Sequence, residues 1–172
     1  MKMENMWNIP PSNETEITPP SKIVEIQCGH LREKTAGAII AKIAIYDGPI
    51  FSYKTLGIMD SITSPQGMLV RGRHVDIQED LGEIGENYFT YELFITSIHT
   101  PNYKYRVMFL GHGIGFYPLD IVVDEEIAKE LGEEIQTLVC DDESIFVETL
   151  SKILGSTKVK QVINALMVIA SE

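Results

Sequence analysis

The stretch NYFTYELFITSIHTPNYKYRVMFL, Asn87 to Leu110, decides the fold. Two runs of alternating aromatic and aliphatic residues flank His99-Thr100-Pro101, which is the pattern of a β-hairpin. In the first run Phe89, Tyr91, Leu93 and Ile95 share one face, because side chains alternate sides along a strand. In the second run Tyr103, Tyr105, Val107 and Phe109 do the same. Pairing Ile98 with Asn102 across a three-residue loop brings both apolar rows to one face, the candidate core. The opposite face then holds Tyr88, Thr90, Glu92, Phe94 and Thr96 beside Lys104, Arg106 and Met108. A shift of one residue would set an apolar row beside a mixed one, so burial selects this register. Glu92 and Arg106 then lie on a diagonal, within reach of a weak surface ion pair. The mixed second face predicts partial cover by a helix or a partner.

Working outward from the hairpin, Ser21 reads as the cap of a helix running to about Thr35 and closed by Gly37. Its apolar stripe is Val24, Cys28 and Leu31, with Ile23 alongside. Ala38 to Tyr46 reads as a strand stopped by Asp47-Gly48-Pro49, with Ile50 to Met59 as its neighbour. Asp60 to Glu86 has little periodicity and is broken by Pro65, Gly67, Gly72, Gly82 and Gly85; Met68 to Arg71 fits a short strand within it. A loop of this length is a natural place for a site.

Beyond the hairpin, Phe116 to Val123 reads as a strand. Asp124 caps a short acidic helix to about Leu131, stopped by Gly132, and Ile135 to Val139 fits a last strand. Two helices follow. The first starts near Asp142, buries Phe146, Leu150, Ile153 and Leu154, and ends at Gly155. The second starts at Ser156 and carries Val159, Val162, Ile163, Leu166 and Ala170 at helical spacing. These elements predict an α+β fold: a mostly antiparallel sheet of about five to seven strands, an N-terminal helix and two C-terminal helices. Residues 1–20, with Pro10-Pro11 and Pro19-Pro20, read as a flexible or extended arm, and 21–172 as one α+β domain.

Composition narrows the function classes. The chain has 172 residues, 44% hydrophobic and 23% charged, enough for a sizeable core without disulfides or a metal. Its formal net charge of −11 argues against nonspecific binding to nucleic acid or anionic membrane. A basic protein partner, or simple solubility, fits that charge. No apolar run approaches the ~20 residues of a membrane span, and Met1 to Pro20 lacks a signal-peptide core. Two cysteines far apart in sequence point to reduced thiols and a cytoplasmic location.

Few residues stand out as chemistry. Gly111-His112-Gly113-Ile114-Gly115 follows a strand, as phosphate-binding glycine loops do. Those loops need a helix N-terminus next, whereas Phe116-Tyr117-Pro118 extends the chain, and the spacing fits neither nucleotide fingerprint. A bend or bulge between strands explains the glycines more simply. His112, among small residues with little to bury it, is still the histidine to test first. Arg71-Gly72-Arg73-His74 is the one basic cluster in an acidic chain and suits a phosphate or carboxylate, since guanidinium binds planar anions through two hydrogen bonds. Its bland alternative is a solvated loop paired with Asp76, Glu79 and Asp80.

Cys140 precedes Asp141-Asp142 at a helix start, where the helix dipole and the carboxylates pull its pKa in opposite directions, and a buried inert thiol is the simpler reading. Cys28 and His30 fall on different faces of a helix. The four histidines show no metal-ligand spacing, the acidic run from Asp76 to Glu86 lacks calcium-loop spacing, and no Gly-x-Ser-x-Gly occurs. Neither a metal nor a cofactor is expected.

Two function classes follow. The first is a non-enzymatic binding or interaction domain that meets a protein partner or its own copy, with Trp7, Tyr88, Phe94 and Met108 as candidate surface residues. The alternative is an enzyme or small-molecule binder holding an anionic ligand between the 60–86 loop and the 111–115 bend. Arg71, Arg73, His74 and His112 are its candidate contacts.

Overall fold

The computed structural model describes residues 17–47 and 88–171. Helix α1 (Pro20–Lys34) leads into strand β1 (Ile39–Ile45). Strands β2 (Tyr88–Ser97), β3 (Thr100–Gly113) and β4 (Leu119–Val123) follow, then the short helix α2 (Glu125–Glu130) and strand β5 (Thr137–Cys140). Helices α3 (Glu143–Leu154) and α4 (Thr157–Ala170) complete the order. The strands form one antiparallel five-stranded sheet in the order β1-β2-β3-β4-β5. This is the α+β architecture that the alternating and helical periodicities predict.

Local chemistry accounts for most boundaries. Asp124, Asp142 and Ser156 each accept a hydrogen bond from a backbone N–H in the first turn of α2, α3 and α4, satisfying a donor that the helix itself leaves free. Helix α1 differs from the sequence expectation. Ser21 is not its cap; Pro20 opens the first turn, where a missing N–H costs nothing and the ring presets φ. Gly37, at φ +81°, donates its N–H to the Arg32 carbonyl at 2.8 Å and closes the helix as its position suggests. The start of α4 is also tied to α2, because the Glu130 carboxylate accepts the Thr157 N–H at 2.8 Å.

The four helices among the described residues all pack on one face of the sheet. There Val24, Ile127, Phe146, Ile153, Val159 and Leu166 bury against Ile39, Leu93, Ile95, Leu110, Ile121 and Leu138. The other face carries a smaller apolar group, Phe109 and Val122 with Tyr46 and Tyr88 against them.

The hairpin forms, but with a different register at both ends. Its central pairs, Phe94–Arg106 and Ile95–Tyr105, match the spacing argument. The turn is shorter than expected, since Ser97 faces Thr100 and only Ile98 and His99 lie between them. On the other side the register shifts between Leu93 and Phe94, so Leu93 pairs with Met108 rather than Val107. Val107 and Met108 are both buried against the helices, and every later residue of β3 changes side. This corrects two assignments: Met108 is core and contributes no surface, while Phe109 belongs to the opposite face.

That second face is built around Glu92. Its carboxylate is only 6% exposed and accepts hydrogen bonds from Lys104 Nζ and, at 2.9 Å, from Arg106 Nε. The expected weak surface pair is therefore a nearly buried carboxylate held by two partly exposed cations. Lys104 also lies over the Phe94 ring at 4.2 Å, and the Arg106 guanidinium lies 4.7 Å from the Phe109 centroid. Tyr88 donates its hydroxyl to Asp120 across two strands at 2.8 Å. Burial and the Asp120 carboxylate both push the Tyr88 pKa upward, so it stays a neutral donor.

Among the described residues no single helix is long and apolar enough to cross a membrane, and α3 with α4 reach that length only as a pair bent by 49°.

Candidate functional site

Strand β3 does not end before the glycines, as expected; it runs through them to Gly113. Gly111 faces Tyr88, and a Cβ built there would lie 2.8 Å from the Tyr88 ring. The glycine is thus required by the close approach of an aromatic ring on the neighbouring strand, not by a phosphate. Gly111→Ala is expected to displace that ring and lose the Tyr88–Asp120 hydrogen bond, lowering stability by about 1 kcal/mol. A double-mutant cycle with Tyr88→Ala in urea checks this. The cost of the alanine should largely vanish once the ring is gone.

His112 points to the helix-bearing face, opposite Phe89 on β2 and Leu119 on β4. It is 2% exposed, which corrects the expectation that little would bury it. Its cover is aromatic. The Tyr91 ring stacks at 5.7 Å and 23°, Phe89 lies at 5.6 Å, and Phe116 meets the imidazole edge-on at 5.5 Å and 73°. Phe116 sits at φ +68°, a conformation that L-residues adopt at a cost of about 1–2 kcal/mol. Its N–H donates to the Gly113 carbonyl at 3.1 Å, closing the turn that folds its ring over the histidine.

Nδ1 lies 2.8 Å from the Gly113 carbonyl oxygen, an acceptor, so Nδ1 donates its N–H there and the ring orientation is fixed. Nε2 is buried and has no hydrogen-bond partner. Leaving a buried polar atom unpaired costs about 1–3 kcal/mol; Thr90, Thr96, Thr100, Tyr117 and Gln136 share this state, and His112 is the one of them enclosed by three aromatic rings. Tyr117, the residue after Phe116, packs against Phe146 instead. Its pKa is pushed up to about 12 by burial and by Glu143, Cys140 and Asp142.

Around the covered histidine the surface is apolar and open. Ile45, paired with Tyr91 at the end of β1, is 79% exposed; Phe89 is 45% and Ile114 is 70% exposed. All three lie at one end of the sheet, Ile45 and Phe89 on neighbouring strands and Ile114 one residue past the end of β3, an apolar rim near His112.

The residues singled out in the sequence divide into three groups. Trp7, Arg71, Arg73 and His74 lie outside the described residues, as do the strands expected at 50–59 and 68–71. Tyr88 and Phe94 lie half-buried on the face opposite the described helices, held by Asp120 and Lys104, and Met108 is core. His112 alone reaches the rim just described. Sequence reasoning placed Phe89 in the core row and gave Ile45, Ile114 and Phe116 no role. The available signal was that Ile45 ends its strand and Ile114 and Phe116 follow the last residue of β3, where cover from the helices stops.

Both cysteines are free thiols. Burial and the Glu25 carboxylate push Cys28 up to about 11, and burial with Asp141, Asp120 and Asp142 raises Cys140. At pH 8 Cys28 should therefore react with a disulfide reagent about a hundredfold slower than a free thiol, and Cys140 should be slowed as well. Rapid labelling of the native protein would contradict this. Among the described residues no group of three or more His, Cys, Asp or Glu side chains is placed to hold a metal ion.

No family model, curated protein or solved structure matches this chain.

Proposed function

We propose that this chain is a non-enzymatic interaction domain, and that its Ile45–Phe89–Ile114 rim meets the same surface of a second copy. The observation carrying this reading is the exposure of three large apolar side chains at one end of the sheet, next to the rings that cover His112. Water gains by losing such a surface, and isologous pairs are the commonest way for a chain to cover it. The strained Phe116 backbone supports the same reading, since strain of this kind collects where a surface is held ready for contact. Two copies each carrying −11 repel one another. Association through an apolar rim therefore strengthens with salt, opposite to an ion-paired contact.

Sedimentation equilibrium at low and high salt tests the proposal. The wild type should self-associate more strongly at high salt, and Ile45→Asp with Ile114→Asp should be monomeric with an unchanged circular dichroism spectrum. A wild type that stays monomeric up to about 0.1 mM at both salts overturns it. Two free cysteines also support a reducing, cytoplasmic setting for this interaction.

A second reading keeps one supporting observation, the unpartnered Nε2 of His112. With Nδ1 engaged by Gly113, this ring nitrogen is the one left to meet a polar ligand atom. In this reading the ligand is an anionic phosphate or carboxylate, with Arg71, Arg73 and His74 supplying the charge.

A further inference from the structure

We propose that a second site, independent of the rim, lies between α1 and α4 and binds a short-chain aliphatic monocarboxylate of about six carbons. A cleft of about 160 Å³ opens there above the sheet. Its origin is a run of small side chains in large-residue positions. On β1 the inward row is Ile39, Ala41, Ile43, and the methyl group of Ala41 stands opposite Ile95 where its neighbours present isoleucines. On α1 Cys28 occupies the stripe position between Val24 and Leu31. Leu154, the last residue of α3, and Ile163, in the middle of α4, form the far wall. An apolar cavity of about 150 Å³ takes up benzene, which sets the scale at about six carbon atoms.

The rim selects the head group. Gln27, His30 and Lys34 follow one another at three- and four-residue spacing and therefore line one flank of α1 above the apolar floor. Among the described lining residues there is no carboxylate, in a chain where Asp and Glu number 25 against 14 Lys and Arg. Lys34 is exposed and takes part in none of the ion pairs among the described residues. An amide, an imidazole and an ammonium over a greasy slot match one carboxylate over one alkyl tail. A few convergent polar groups at the mouth of an apolar pocket are the ordinary form of a small-ligand site.

The test is a ¹H–¹⁵N NMR titration of the full chain with sodium hexanoate, and in parallel with 1-hexanol. Hexanoate should give saturable shifts centred on Cys28, Leu31, Ala41 and Ile163, with a dissociation constant of about 1 mM or below. It should bind about two- to fivefold tighter than hexanol, and Lys34→Gln should remove that advantage while leaving hexanol binding unchanged. Ala41→Leu fills the slot from the sheet and Cys28→Leu from the helix; either, once shown to be folded by its own spectrum, should abolish binding of both. Shifts that do not saturate, or that centre elsewhere, overturn the site. Equal affinity for hexanoate and hexanol in the wild type overturns the carboxylate assignment.

Discussion

Phe146→Ala is expected to lower the free energy of unfolding by about 3–5 kcal/mol, the largest single effect on this fold. Phe146 lies on the inward stripe of α3 with Leu150 and Ile153, and all are buried. Its ring meets Tyr117, 6.4 Å away at 56°, where the chain turns into β4, so it joins helix to sheet at a point of dense packing. Truncation removes the transfer free energy of the ring and leaves a cavity that neighbours on two elements cannot close. Since domains of this size have a total stability of about 5–15 kcal/mol, the variant should lose a large share of it. Urea unfolding followed by circular dichroism measures this. Ile145→Ala, at the exposed neighbouring position, should stay within about 1 kcal/mol of wild type. Equal losses for the two variants would show that α3 does not pack as described.

Glu92→Ala should cost about 2–3 kcal/mol at neutral pH, and the loss should depend on pH. Two hydrogen bonds to charged donors disappear, each worth about 1.5–3 kcal/mol. The sum is not fully realised, because the Lys104 and Arg106 side chains are 43% and 33% exposed and recover water once the carboxylate is gone. Burial alone would raise the Glu92 pKa; the hydrogen bonds and charges of Lys104 and Arg106 outweigh it and hold the carboxyl below its ordinary value of about 4.3. A folded-state pKa below the unfolded one gives a contribution that is fully present above the unfolded value. It is lost as pH falls through the folded value. The difference between wild type and variant should therefore be constant from pH 7 to about 5 and shrink below about 4. A gap that widens on acidification would mean that Glu92 is held protonated instead.

These two residues show how far the sequence reaches. The helical spacing of Phe146, Leu150 and Ile153 names the buried stripe without any knowledge of what covers it, because a helix must hide its apolar side. Glu92 was legible only as a neighbour of Arg106. It is held by Lys104 and Arg106, whose charged ends lie over the rings of Phe94, Tyr46 and Phe109; none of these distances is written in a local pattern. The same limit applies to the candidate rim. Ile45, Phe89 and Ile114 are apolar residues of the type expected in a core, and only the extent of the helices shows that they are uncovered.

Alternation and helical periodicity by themselves determined the α+β class, the antiparallel hairpin, the two C-terminal helices and the caps Asp124, Asp142 and Ser156, because period and capping chemistry act within a few residues. The side of the sheet on which Met108, Phe109 and His112 lie was decided only by tertiary structure. One register shift beside Val107 reverses every side chain after it, and that shift is favoured by packing Val107 and Met108 together against helices that come from both ends of the chain. Burial is a sum over distant neighbours, so His112 became an enclosed, aromatic-covered group only when three strands and a strained turn were brought around it.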